Sequence, residues 1–289
     1  MDQRVIDLYD SFTHGGISRR EFLDRLAEIA GSGAAALALL PLLQNDYAKA
    51  AAVAPDDARL VIDTVSYDAA GTPIRGSLAR LKSKGKRPAV IVVHENRGLN
   101  PHIQDIARRI ALDGFLVLAV DMLSPLGGTP PDEDKGREMI ASLNADETAH
   151  RIAAAVPFLG HHAESTGKVG AVGFCWGGGM VNRIAVLAPG LTAGVAFYGV
   201  QPPATQVPAI HAALLLHYAG LDQRVNAGIA AYEAALKENH KRFAIYIYPG
   251  VNHGFNNDTS SRYDKAAANL AWSRTIAFLK ENLGAPPPA

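Results

Sequence analysis

Gly173-Phe174-Cys175-Trp176-Gly177-Gly178-Gly179 sets the single cysteine of this 289-residue chain among small residues, where an apolar run gives way to a helical one. A strand that turns this sharply forces its middle residue into strained backbone, and the neighbours must lack bulk. The thiol then stands at a helix N-terminus, where the dipole and free amides favour thiolate. This is the pattern of a nucleophile elbow, with cysteine where serine is usual. Two other readings exist: a packed core cysteine, or a phosphate loop. The phosphate loop would close on Gly-Lys-Ser/Thr, which is absent here.

An elbow needs an acid and then a histidine further along the chain. The strand-like run Ala212–Tyr218 ends in Ala219-Gly220-Leu221-Asp222, and Phe243–Tyr248 ends in Pro249-Gly250-Val251-Asn252-His253-Gly254-Phe255. His253 would take the proton of Cys175, and Asp222 would fix its tautomer. The chain has 10 histidines, so His253 gains weight from order and context alone; His14, His150, His161, His162 and His240 read as surface residues. A third strand end, His94-Glu95-Asn96-Arg97-Gly98, is placed to give the second oxyanion amide from Asn96, beside that of Trp176. Glu95 is an acid within possible reach of the thiol, or else an exposed carboxylate paired with Arg97 or Arg108. Phe174, Trp176, Tyr198 and Phe255 are candidates for an apolar acyl site, with core packing as the alternative.

The elements that must hold these residues alternate. Leu60–Tyr67 and Ile74–Leu81 read as strands joined by Ala70-Gly71-Thr72-Pro73. Pro88–His94, Phe115–Val120 and Lys168–Phe174 are continuous apolar runs of the kind buried on both faces of a sheet. Helical spacing covers Pro101–Asp113, Asp146–Leu159, Met180–Ala188, Val225–Asn239 and Ala266–Asn282, and Ala193–Tyr198 adds a strand. The pattern predicts an α/β fold: a mostly parallel central sheet with helices on both faces, and a site off the carboxyl ends of the strands. Leu123–Asp134, rich in Pro and Gly, is expected to form part of a lid.

Lys+Arg 28 balances Asp+Glu 28, which argues against a nucleic-acid partner and a polybasic membrane anchor. With 48% hydrophobic and 19% charged residues, the chain can bury a substantial core. One cysteine rules out an intrachain disulfide and a multi-cysteine metal site; no metal or organic cofactor is expected.

Residues 1–55 differ from 56–289, the expected catalytic domain. Ser18-Arg19-Arg20-Glu21-Phe22-Leu23, an apolar run from Ala30 to Leu43 and the small-x-small Ala48-Lys49-Ala50 resemble a twin-arginine export signal. The alternative is an N-terminal helical arm packed on the body or joining copies of the chain. The first implies a periplasmic protein with no membrane contact once mature, the second a cytoplasmic one. The apolar run is shorter than the roughly 20 residues of a membrane span.

The motifs around Glu95, Cys175, Asp222 and His253 together look like the dienelactone hydrolase family, over roughly Val61 to Leu283. The resemblance implies an α/β-hydrolase fold and hydrolysis of a small ester or lactone through a thioester, with Cys175 as nucleophile, Asp222 as orienter and His253 as base. It also implies that Glu95 hydrogen-bonds the resting thiol. The family's substrate-binding arginines are missing: the matching segments read Asp121-Met122-Leu123-Ser124-Pro125-Leu126 and Phe255-Asn256-Asn257-Asp258. Either Arg97 substitutes for them, or the substrate is not an anionic lactone. The alternative function is a non-hydrolytic member that binds a small ligand or senses redox state through Cys175.

Overall fold

Strand β3 (Arg87–Val93) and strand β4 (Leu116–Val120) are buried at every position. Alternate side chains of β3 enter opposite cores: Ala89, Ile91 and Val93 on one side, Val90 and Val92 on the other. This is why the two runs lack the apolar–polar alternation of a half-exposed strand. The computed structural model describes residues 2–47 and 52–286. Besides β3 and β4, its strands are β1 (Leu60–Ala69), β2 (Thr72–Leu81), β5 (Ser165–Phe174), β6 (Leu191–Phe197), β7 (Ala213–Ala219) and β8 (Phe243–Tyr248). They form one sheet in the order β1-β2-β4-β3-β5-β6-β7-β8. Strands β1 and β2 are antiparallel to their neighbours, and the other six are parallel. Pairings Val93 with Gly173, Phe174 with Phe197, and Ala219 with Tyr248 bring the carboxyl ends of these strands level.

Helices α6 (Ala145–Ala153), α7 (Ala155–Gly160), α8 (Trp176–Leu187) and α10 (Ile229–Glu238) cover one face; α4 (Pro101–Leu112) and α11 (Lys265–Leu283) cover the other. Two expected helices are each broken. Pro157 has no N–H to give the Ala153 carbonyl, so α6 stops there and α7 starts afresh. The other divides at Gly228 into α9 (Gln223–Asn226) and α10. In the expected lid, the Asp121 carboxylate accepts hydrogen bonds from the amides of Leu123 and Thr129 and from Thr129 Oγ1. The segment that reaches over the site comes just after it, as α5 (Glu133–Ala141), which the sequence reading left unassigned.

Residues before the sheet form α1 (Gln3–Thr13), α2 (Arg19–Ala30) and α3 (Gly33–Leu43). Ser18 caps α2 by accepting the Glu21 amide, so the paired arginines begin a capped helix. Val5, Leu8, Tyr9, Phe12, Phe22, Leu26, Ala36 and Leu43 give the unit a small core of its own. Among the described residues no single helix is long and apolar enough to cross a membrane; α2 and α3 together are, but they meet at 110°. Ala48-Lys49-Ala50 lies outside the described residues.

Candidate active site

Cys175 sits at φ 56°, ψ −117°, between the end of β5 and the start of α8. A side chain in that region costs about 1–3 kcal/mol and persists only where the surroundings hold it. They do so by close backbone approach. A Cβ on Gly173 would stand 2.2 Å from the Gly177 carbonyl, and one on Gly177 would stand 2.4 Å from those of Val93 and His94. The first helical bond of α8 runs from Gly179 N–H to Cys175 C=O. The amides of Trp176, Gly177 and Gly178 therefore lie outside the helix ladder, beside the sulfur.

His253 Nδ1 lies 2.5 Å from Asp222 Oδ2, and both side chains are buried. A carboxylate can only accept here, so Nδ1 carries the hydrogen and Nε2 is left to the sulfur side. His253 Nε2 is buried and makes no hydrogen bond. Burial pushes the Cys175 thiol up, but adjacent His253 and then His14 outweigh it and bring the pKa down to about 5. Burial likewise pushes His253 down; the Cys175 sulfur, Asp10 and the bond to Asp222 outweigh this and raise it to about 10. Asp222 is pushed up by burial and brought below its ordinary value chiefly by its bond to His253. The balance favours thiolate and imidazolium.

The loop after β3 is locked against the elbow. His94 Nδ1 bonds the Glu95 carbonyl at 2.6 Å, and its Nε2 accepts the Met122 amide at 3.3 Å. Its ring stacks on Trp176 with centroids 5.2 Å apart. Complete burial keeps this histidine below its ordinary pKa and neutral.

Helix α1 closes the other side. Asn96 Nδ2 donates to the Thr13 carbonyl at 2.8 Å, Arg97 Nη2 to Tyr9 Oη at 2.9 Å, and Arg262 Nη1 to Asp10 Oδ1 at 3.0 Å. The amides of Gln3 and Asn252 bond each other reciprocally. At the C-terminus of α1, His14 Nε2 reaches 3.3 Å from Cys175 Sγ, and its ring meets that of His253 edge-on at 4.7 Å. A cavity of about 370 Å³ opens over Cys175, walled by Thr13, His14, Asn96, Trp176 and Tyr198, with Arg137 and Arg224 among its other lining residues. His14, Cys175 and His253 offer two ring nitrogens and a sulfur within 4.8 Å of one another, as do Asp10, Asp222 and His253 with oxygens and nitrogen. Within these sets His14 is already bonded to the sulfur, and His253 to Asp222.

Residues 74–283 match the profile of the dienelactone hydrolase family, and residues 1–32 match a YqhI-like profile. The chain belongs to the dienelactone hydrolase family. It is 30% identical over 252 residues to a protein of Saccharolobus solfataricus provisionally named a carboxymethylenebutenolidase, covering 75% of this chain and 97% of that one. A hydrolase fragment of Escherichia coli strain K12 is 49% identical over 107 residues, 36% of this chain and 92% of the fragment. Among solved structures, a dienelactone hydrolase-like promiscuous phosphotriesterase from metagenomic libraries superposes with TM-score 0.70 at 27% identity, covering 78% of this chain and all of that one. A dienelactone hydrolase structure from Klebsiella pneumoniae has TM-score 0.69 at 24% identity, over 77% of this chain and 99% of that one, which speaks to the fold alone.

Against the family pattern, the elements bring Cys175, Asp222 and His253 together at the carboxyl ends of β5, β7 and β8, with Trp176 and Asn96 on the cavity wall. Four other expectations fall differently. The Glu95 carboxylate accepts from Asn257 Nδ2 at 2.9 Å; the side chain hydrogen-bonded to the thiol is His14. Arg97 is buried between Tyr9 and Glu133 instead of lining the cavity. Phe174 stacks on Phe197, and Phe255 packs against Tyr198 and Tyr248, so both are core. Tyr198 does line the cavity, its hydroxyl buried without a partner. His14, expected at the surface, and the cavity residues Arg137 and Arg224 are the ones the sequence reasoning missed; the signal for His14 was a position just past an amphipathic helix.

Proposed function

We propose that the protein hydrolyses a small ester or lactone through a thioester on Cys175. The observation that carries this reading is a strained, buried cysteine beside a histidine bonded at 2.5 Å to a carboxylate, all facing one end of the sheet. The Cys175 thiolate attacks the carbonyl carbon, and the oxyanion is received by the amides of Trp176 and Asn96. Asp222 holds His253 in the tautomer that accepts the thiol proton. The C–O bond then breaks, the leaving oxygen is protonated, and water attacks the thioester to regenerate the thiolate. Arg224 reaches the cavity without a hydrogen bond or ion pair among the described residues, and Arg137 of α5, its guanidinium over the Phe12 ring and 3.7 Å from Asp134, lines the same cavity. These two guanidinium groups, and not Arg97, are placed to receive a substrate carboxylate. We further propose that the N-terminal helices belong to the working enzyme as an arm packed on residues 56–289.

The test is to assay wild type and Cys175→Ala on p-nitrophenyl acetate, an alkyl ester and an enol lactone with and without a carboxylate. Loss of at least about a hundredfold in the variant, its fold intact, is the expected outcome. Equal turnover by both would sink the mechanism. If wild type cleaves nothing while Cys175 reacts readily with peroxide, the ligand-binding or redox alternative stands in its place.

A further inference from the structure

We infer that His14 is a second catalytic histidine, carried into the site by α1 and acting as the acid and base on the substrate side of Cys175. This rests on the hydrolase reading above and names a residue that the Cys175–His253–Asp222 set does not include.

Three observations carry it. His14 Nδ1 lies 2.8 Å from the Asp10 carbonyl, which can only accept, so Nδ1 carries a hydrogen and Nε2 is the atom that exchanges a proton with sulfur 3.3 Å away. The Asp10 carboxylate, 3.4 Å from the same Nδ1, supports the imidazolium as Asp222 supports that of His253, and Arg262 holds Asp10 in place. Most telling is the division of space. The cavity that opens on Cys175 is walled by His14 and not by His253. His253 lines a separate cavity of about 340 Å³ together with Asp10, Asp222 and Asn252.

The proton accounting gives each histidine a task. In the resting enzyme His253 holds the proton of Cys175; as substrate binds, that proton returns to the sulfur and passes on to Nε2 of His14, 3.3 Å away. On acylation the S–C bond forms and the C–O bond breaks, and His14 gives its Nε2 proton to the leaving alkoxide in the cavity. On deacylation neutral His14 accepts a proton from the attacking water as the C–S bond breaks. His253, with Asp222, polarises the sulfur from the opposite side throughout. The charged and titratable groups around His14 are Asp10 and Arg262 on one side and Cys175, His253 and Asp222 on the other. Thr13, His14 and Gly15 form a wall beside an open volume, so the arm completes the site and does not plug it.

A general acid is needed in proportion to how poor the leaving group is, and a merely structural role would not follow that dependence. The experiment compares wild type, His14→Gln and Asp10→Asn on p-nitrophenyl acetate, whose leaving group needs no proton, and on an alkyl ester or lactone, whose leaving group does. The expected result for His14→Gln is a loss of about a hundredfold in kcat on the second class and only a few-fold on the first. Asp10→Asn, which touches the His14 imidazole from its Nδ1 side and also weakens the support of His253, follows the same dependence with a smaller loss. Equal losses on both classes, no loss, or a gain in rate would overturn the inference. Amide exchange across residues 3–13 shows that α1 stays docked; if it undocks in His14→Gln, His14→Asn decides by the same criterion. Should wild type cleave no ester, the hydrolase reading fails by itself. The alkylation rate of Cys175 against pH then decides for His14: a midpoint raised by about one unit in His14→Gln supports its hold on the thiolate, and an unchanged midpoint overturns it.

Discussion

The imidazole of His94 lies on the indole of Trp176 with planes only 9° from parallel. The stack joins the two segments proposed to supply the oxyanion amides: His94 begins the loop that leads to Asn96, and Trp176 follows Cys175. On that proposal each ring fixes a backbone donor. His94→Ala is expected to lower kcat about tenfold with little change in KM, less than the 10²–10³ that deletion of a whole donor costs. An unchanged kcat would mean that the two loops are held by other contacts.

Cys175 is expected to alkylate with iodoacetamide along a pH profile whose midpoint is about 5, far below a free thiol. Asp222→Asn removes the carboxylate that supports the His253 imidazolium. The midpoint then rises and ester turnover falls by about a hundredfold or more. A midpoint above 8 in wild type would show that the resting sulfur is a neutral thiol.

The same pair makes stability depend on pH. Cys175 falls from an ordinary 9.0 to about 5, so its contribution is complete above 9.0 and is lost as pH falls through about 5. His253 rises from 6.5 to about 10, so its contribution is complete below 6.5 and is lost as pH rises through about 10. The Tm difference between wild type and Cys175→Ala should be greatest from about pH 6.5 to 9 and shrink toward pH 5 and toward pH 10. A difference that stays constant across that range would speak against the ion pair.

Gly173→Ala places a methyl 2.2 Å from a backbone carbonyl that no rotamer can move, whereas Gly190→Ala meets only the Val156 side chain at 3.6 Å. Denaturant unfolding should show a loss of roughly 3 kcal/mol for the first, at the upper end of overpacking costs, and under 1 for the second. Similar midpoints would mean that the elbow relaxes.

The sheet and three of the site residues were readable because local pattern and global position coincide. Strands such as β3 are apolar at most positions for the same reason that they are central, and Cys175, Asp222 and His253 lie one, three and five residues past the ends of β5, β7 and β8. His14 was not readable, since α1 carries an ordinary amphipathic pattern: its apolar stripe packs within the three-helix unit, and no periodicity states where its last residue points. Helix α5 was hidden by its polar sequence, Glu133-Asp134-Lys135-Gly136-Arg137-Glu138, because it covers a cavity and not a core. Phe174 and Phe255 fall to the core-packing alternative, because an aromatic near a site residue in sequence can stack on buried rings instead of facing the cavity.

Two of the contacts that dock α1 join residues 249 and 252 positions apart, Gln3 to Asn252 and Asp10 to Arg262. As the chain is synthesised, α1 leaves the ribosome before the sheet, yet these two partners are among the late segments to follow. Loop closure over such a span must wait for the sheet to form. A product long enough to display the elbow but ending before residue 253 therefore carries its cysteine without His253 and without Arg262, which holds Asp10 beside His14. On the proposed mechanism, the thiol gains its full reactivity only when these late residues are in place.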